Sequence, residues 1–132
     1  MKTYFAVSGV VKHDGKVLIM KKSSDDYHYP DRWSFCSGYV KEFQSAEDNI
    51  LREIKEETGL TASIVKKREI LCKEDKKIGR TWVIMPFLCK VSSKNVKLDH
   101  ENTDFKWISH NEIKKYPTVP GIEKTLKILG LI

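Results

Sequence analysis

The chain has no apolar run of membrane-spanning length, which takes about 20 residues, and this excludes a helical membrane span. Its opening stretch, Met1 to Ala6, holds too short an apolar segment for a secretory leader, so a cytoplasmic protein is expected. Cysteine is scarce. The three present, Cys36, Cys72 and Cys89, are scattered without CxxC spacing. That argues against a disulfide framework or a zinc ribbon and fits free thiols in a reducing compartment. His13, His28, His100 and His110 do not cluster in sequence. There is no repeat, no low-complexity segment and no interdomain linker. A length of 132 residues with 40% hydrophobic content suits one domain over residues 1–132. No helix-turn-helix or RNA-recognition signature is visible. The net charge of +6 comes mostly from spread lysines, as in Lys66-Lys67-Arg68, Lys76-Lys77 and Lys114-Lys115. Such a distribution reads as a solvated surface with some affinity for phosphorylated small molecules, not as a nucleic-acid track.

Against these absences stands one dense segment, Arg52-Glu53-Ile54-Lys55-Glu56-Glu57-Thr58-Gly59-Leu60. It sets three carboxylates within five residues of a strongly helical stretch. On a helix, positions i, i+3 and i+4 share a face, so Glu53, Glu56 and Glu57 are neighbours that repel one another. Ala46, Ile50 and Ile54 form the apolar stripe, Glu57 falls one heptad after Ile50, and Glu53 sits beside the stripe. A carboxylate aimed at the core is costly unless a positive charge meets it. A hard divalent cation, Mg²⁺ or Mn²⁺, removes both penalties. The bland alternative is a Glu-rich solvated face.

The remainder reads as a strand-dominated α/β chain. Residues 3–12 and 16–22 are β-rich runs around Asp14-Gly15, a hairpin signal. Residues 23–32 are polar, contain Pro30 and read as a loop. Trp33 to Cys36 is a short strand. Ser45 caps the Glu-rich helix, with Asp48 in capping-box position, and Gly59 ends it. Strands are expected at 62–73 and 81–91 with Gly79 in the turn between, and a short one at 106–108. A final helix covers about 119–129. Trp33 and Trp107 are expected in the core.

From Gly38 through Gln44 to Leu60 the residues resemble the Nudix box, G-x5-E-x7-R-E-U-x-E-E-x-G-U with U aliphatic. Gly38, Arg52, Glu53, Ile54, Glu56, Glu57, Gly59 and Leu60 all fall in place, and one defining position departs, Gln44 for the first glutamate. Ser37-Gly38 and Phe43-Gln44 also stand where relatives commonly show Gly-Gly and Gly-Glu. The resemblance covers nearly the whole chain. It implies an α/β/α sandwich with a mixed β-sheet, a central catalytic helix and a C-terminal helix. It implies a Mg²⁺-dependent hydrolase, with Mn²⁺ able to substitute, that cleaves the diphosphate linkage of a nucleoside diphosphate joined to another moiety. A short MutT-like chain without the marker residues of other subfamilies points to a nucleoside triphosphate. The alternatives are an ADP-sugar or dinucleoside polyphosphate, and, in another class, a non-catalytic nucleotide-binding domain.

The resemblance also assigns roles. Glu53, Glu56, Glu57 and the Gly38 backbone carbonyl would hold metal, and Arg52 would orient the carboxylates. Gln44 can accept a hydrogen bond from Arg52 without charge assistance. Glu101, six positions before Trp107, fits a family slot for a further metal ligand or the general base, with Asp104 its competitor. Lys22, with Lys21 as rival, would meet phosphate. Phe5, Tyr27, Tyr29, Tyr39 and Trp82 are candidates for stacking on the base, though strand aromatics are more often core. Cys36 invites comparison with isopentenyl-diphosphate isomerase, a relative with a catalytic cysteine near this loop. It is read here as a small buried residue. The expected partner is a small nucleotide or nucleoside-diphosphate derivative, a homodimer is compatible with the sequence, and neither membrane nor nucleic acid is expected.

Overall fold

The computed structural model describes residues 2–132. Strand β1 (Lys2–His13) and strand β2 (Lys16–Lys22) form a hairpin, followed by β3 (Trp33–Ser34), β4 (Cys36–Tyr39) and helix α1 (Ala46–Thr58). Then come β5 (Ala62–Lys67), β6 (Leu71–Asp75), β7 (Arg80–Val91), β8 (Asn102–Ile108), a 3₁₀ turn (His110–Lys115) and helix α2 (Ile122–Ile128). The hairpin turn has Asp14 at φ 49° and Gly15 at φ 75°, the left-handed pair that a tight two-residue turn needs.

All the strands join one mixed sheet. Strand β1 runs parallel to β7 from Lys2↔Arg80 to Lys12↔Lys90, and the other pairings are antiparallel. The far edge of β1 is shared, with β4 on Ala6 to Gly9 and β2 beyond Lys12. The far edge of β7 is shared in the same way between β6 and β5.

Period-2 alternation sorts the strands into two apolar layers. Val7, Val11, Leu18, Met20, Phe87 and Cys89 face α1, where Ile50 and Ile54 complete one core. Val10, Val17, Ile19 and Leu88 face the other way, onto Ile113, Ile122, Leu126 and Leu129. Helices on both sheet faces make the α/β/α sandwich. At Gly9 an added Cβ would lie 2.8 Å from Ile50 Cδ1, so glycine sets how closely α1 approaches β1. No helix is long and apolar enough to cross a membrane among the described residues.

Several boundaries differ from the sequence expectation. The strand expected at 62–73 is two strands, because β5 pairs with the end of β7 and β6 with its start. Pro86, which has no N–H to give, sits at that changeover, and its carbonyl accepts from Arg68 N–H at 3.2 Å. The strand expected at 33–36 divides at Phe35, where β3 pairs with β2 and β4 with β1. Strand β8 begins earlier than expected, at Asn102. Helix α2 begins later, after Gly121 at φ 92°. Trp33 is core as expected, 6% exposed. Trp107 is only partly buried, and its indole N–H donates to the Lys94 carbonyl at 3.1 Å.

Candidate active site

Helix α1 is built to aim acid inward. Its N-cap Ser45 accepts from Asp48 N–H at 3.0 Å, and Gly59 closes it in the left-handed conformation at φ 74°. Ile50 and Ile54 are fully buried, and Glu57, on the same face, is 5% exposed. The Glu53 side chain is 12% exposed and that of Glu56 54%. The stripe drawn from the sequence therefore has its two acids where the periodicity put them.

Glu53 lies against Gly38. A Cβ on Gly38 would overlap the Glu53 carboxyl, so this strand residue has to be glycine for the acid to sit there. Strand β4 brings Gly38 to that spot by pairing with β1 at Val7↔Gly38. Arg52 ties the loop and helix together. Its guanidinium donates to Gln44 Oε1 at 3.2 Å, Glu56 Oε1 at 3.0 Å and Asn49 Oδ1 at 3.2 Å, and lies 3.1 Å from Glu53 Oε1. Asn49 in turn accepts from Lys41 N–H at 3.1 Å and donates to the Tyr39 carbonyl at 3.0 Å. The amide at position 44 thus keeps the brace to Arg52, without the charge.

Glu57 Oε2 is shielded from solvent and has no hydrogen-bond partner. Burial pushes the Glu57 carboxyl well above its ordinary range, and the charges of Glu53, Asp99 and Glu101 add to the push against Lys22. Burial likewise raises Glu53, opposed by Arg52 and assisted by Glu56. An orphaned buried carboxylate oxygen beside a second strained acid fits a hard divalent cation. Glu53, Glu57, Glu56 and Glu101 could hold it. Among the described residues no three such groups are already closed around one point. Glu53 and Glu57 are joined by a side-chain hydrogen bond, while Glu56 is drawn onto Arg52.

Beside this cluster lies a cavity of about 770 Å³, whose wall includes Glu101 and the Gly38 that Glu53 packs against, a size suited to a small-molecule ligand. Gly38, Lys22 and Glu101 line one end, and Tyr29, Lys73 and Trp82 line another part.

The chain matches the NUDIX domain over residues 3–128. It belongs to the NUDIX family. It is 24% identical over 142 residues to the nucleoside triphosphatase NudI of Escherichia fergusonii, covering all of both chains. The MutT NUDIX hydrolase from Burkholderia pseudomallei superposes with a TM-score of 0.85 at 18% identity, over 98% of this chain and 99% of that one. A C. elegans Ap4A hydrolase superposes with a TM-score of 0.78 at 23% identity, over 96% and 95%. The chain is thus a Nudix-type hydrolase of phosphorus anhydrides, an enzyme class that generally needs a divalent metal ion.

Within this Nudix chain the expected site residues mostly converge. Lys22 lines the cavity, 4.0 Å from Asp26, while Lys21 pairs in register with Asp104 on β8. Glu101 lines it too. Asp104 is exposed and accepts from Phe105 N–H at 2.8 Å, outside the cavity. Tyr27, Tyr39 and Trp82 line the cavity, with exposures of 87%, 46% and 8%. Phe5 does not. It is 65% exposed and lies off the cavity wall. Cys36 is buried, and burial together with Glu57 pushes its thiol up, the reverse of an activated nucleophile.

Sequence reasoning missed Asp99, His28 and Lys73. Asp99 accepts from Glu101 N–H at 3.2 Å and acts on Glu57 through its charge. His28 and Tyr29 are set by Asp26, whose carboxylate accepts from both backbone N–H groups at 3.3 and 2.9 Å. That Asx turn was the available signal, since Asp26 precedes them in the polar run 23–32 that contains Pro30.

Proposed function

We propose that the protein hydrolyses nucleoside triphosphates, as a Mg²⁺-dependent pyrophosphohydrolase with Mn²⁺ able to substitute. The observation that carries this reading is the buried, unpartnered Glu57 Oε2, with Glu53 packed against Gly38 on the wall of a nucleotide-sized cavity that Glu101 also lines. Glu53, Glu56, Glu57 and the Gly38 carbonyl would hold the metal, with Glu101 either a further ligand or the base, and a bound metal would supply charge neutralisation for the phosphates and a more acidic water. The chain's own groups do the rest. Lys22 meets phosphate oxygens from the cavity wall. Arg52 acts through the carboxylates, holding Glu53 and Glu56 in orientation. Glu101, reaching the site from a different segment, takes the proton of the water that attacks phosphorus, with Glu53 as the other candidate base. Tyr27, Tyr39 and Trp82 enclose the nucleoside. The same cytoplasmic enzyme, alone or as a homodimer, would take a nucleotide and neither membrane nor nucleic acid.

The test is release of phosphate or pyrophosphate from a mixed panel with and without Mg²⁺. Nucleoside triphosphates should be cleaved to the monophosphate and pyrophosphate faster than ADP-ribose or a dinucleoside polyphosphate. Faster cleavage of either of those replaces the substrate assignment. No Mg²⁺-dependent turnover on any member points to a nucleotide-binding domain without catalysis.

A further inference from the structure

The cavity wall carries two hydroxyls that the hydrolytic reading leaves unused. Ser8 and Ser37 both line the cavity. They are direct cross-strand partners, Ser8↔Ser37 in the β1–β4 ladder. Alternation along each strand fixes where they point. Val7 and Cys36 belong to the core under α1, while Val10 and Phe35 belong to the core under α2. Ser8 keeps step with Val10 and Ser37 with Phe35, so both hydroxyls leave the sheet on the same side. Tyr39 and Ile84 line the cavity beside them, each in register with Ala6.

The two serines are close neighbours. Val40 N–H donates to the Phe5 carbonyl at 2.9 Å, which makes Phe5 and Val40 a hydrogen-bonded pair. Hydrogen-bonded and non-hydrogen-bonded pairs alternate along an antiparallel ladder. Counting on through Ala6↔Tyr39 and Val7↔Gly38 makes Ser8↔Ser37 a non-hydrogen-bonded pair, the kind whose Cα atoms lie about 4.5 Å apart. Hydroxyls on Cβ atoms about 5 Å apart can meet adjacent atoms of one ligand. Both residues are half-buried, and among the described residues neither hydroxyl has a hydrogen-bond partner. A sheet surface gains more from β-branched side chains than from serine, so packing does not account for two serines side by side.

Their place falls between the two parts of the cavity. The run from β3 to β4 starts beside Lys22 and Glu101, where Lys22 N–H donates to the Arg32 carbonyl at 2.8 Å and Ser23 N–H to the Glu101 carbonyl at 3.0 Å. It ends at Tyr39, whose ring centroid lies 5.1 Å from that of Tyr4 and whose hydroxyl accepts from Trp82 Nε1 at 3.5 Å. Ser37 stands between these ends, two residues or roughly 7 Å short of Tyr39. A nucleotide with its phosphates at the glutamates and its base at the aromatics lays its sugar there.

We propose that Ser8 and Ser37 form a sugar-reading pair that grips the vicinal diol of a ribonucleotide, one serine hydroxyl on each sugar hydroxyl, and so favours ribonucleotides over deoxyribonucleotides. Each hydroxyl of the diol both donates and accepts, as each serine does, so both serines are matched. A phosphate group only accepts and uses half of what the pair offers. A 2′-deoxy sugar turns a methylene to one serine and gives up its hydrogen bond. This inference rests on the reading of the cavity as a nucleotide site, and it names the sugar.

Binding of nucleoside 5′-monophosphates tests it without turnover. The probes are a ribonucleoside monophosphate and its 2′-deoxy and 3′-deoxy forms, in the uracil or the adenine series, whichever binds tighter. Calorimetric titration of the wild-type protein should show the ribo form binding tighter than either deoxy form by about fivefold or more. Ser8→Ala and Ser37→Ala should each shrink one of the two gaps to about twofold or less, and the double variant should shrink both. Melting temperatures establish that each variant is folded. The proposal is overturned by equal binding of the three sugars to the wild type, by gaps that survive in the double variant, or by the double variant weakening all three forms equally, which would make the pair a phosphate contact. A ribo preference that depends on the pair, in a protein that cleaves no nucleoside triphosphate, would sink the hydrolytic reading and leave the pair standing. Cleavage with no such preference does the reverse.

Discussion

The acidic and the aromatic parts of the cavity are built in opposite ways. The acids come largely from one helix, where Glu53, Glu56 and Glu57 follow a 3.6-residue period and one arginine, Arg52, spans the cluster. The aromatic part has no such repeat. His28 and Tyr29 come from a loop, Lys73 from β6 and Trp82 from β7, and their partners lie more than 40 residues apart, as in Tyr29 to Asp75 or Lys73 to Tyr29. One part is a local pattern that tolerates no change of spacing. The other is a meeting of segments, free to change residue by residue. On the proposed function, metal chemistry would sit in the first and choice of substrate in the second.

Removing an acid should break the first part outright. Glu57→Gln or Glu56→Gln should abolish turnover, a loss of several kcal/mol in the transition state, since each is expected to ligate metal. Both variants should remain folded by circular dichroism. Near-normal activity in either at saturating Mg²⁺ removes the metal-site argument, and with it the contrast between the two parts.

Glu101 tests whether the acidic part reaches beyond its helix. Glu101→Gln should lower kcat by roughly 10²-fold and leave KM nearly unchanged if the residue is the general base. Partial rescue by higher Mg²⁺ or by Mn²⁺ identifies a metal ligand instead. An unchanged kcat passes the proton to Glu53 and confines the chemistry to α1.

A smaller effect separates burial from charge. Glu57 keeps its proton to higher pH in the fold than in the unfolded chain, whose ordinary glutamate value is 4.5. The native state therefore binds more protons over that interval, and metal-free stability should fall as pH rises from about 4.5 toward neutrality. Glu53, also raised, adds a slope of the same sign. In Glu57→Gln much of this slope should vanish, and the variant should melt at least as high as wild type at pH 7 in chelator. Melting curves from pH 4 to 8 in chelator check this. A large loss of melting temperature in that variant would mean that Glu57 is structural.

The smallest effect concerns the brace. Gln44 already accepts from Arg52 at 3.2 Å in an exposed contact. Gln44→Glu should keep activity and raise stability by about 0.5 kcal/mol or less, the usual worth of an exposed ion pair. A sharp fall in activity would show that the loop has been rebuilt around a neutral side chain.

Legibility follows the same division. The hairpin at Asp14-Gly15, the capped helix and the inward tilt of Glu57 were readable because each depends on neighbours within about one turn or one strand pair. That Phe5 lies off the cavity wall was not readable, because an aromatic in a strand does not say which residues will share a cavity with it. The break between β5 and β6 was missed because the run 62–73 carries no Gly, Pro or Asn to mark it, and only the half of β7 that each strand meets separates them.

By itself the sequence determined the alternation that sorts Val7 and Val11 from Val10, the apolar stripe of α1 with its two misplaced acids, and the spacing that marks the family. These are periodic properties of a short stretch of chain, fixed by helix and strand geometry. Only the tertiary structure decided that a Cβ at Gly38 would collide with Glu53, that Asp99 and Glu101 act on Glu57, and that Lys73 lies between Tyr29 and Trp82. Those relations depend on strand register and on which edges of β1 and β7 the other strands take, and no local period encodes them.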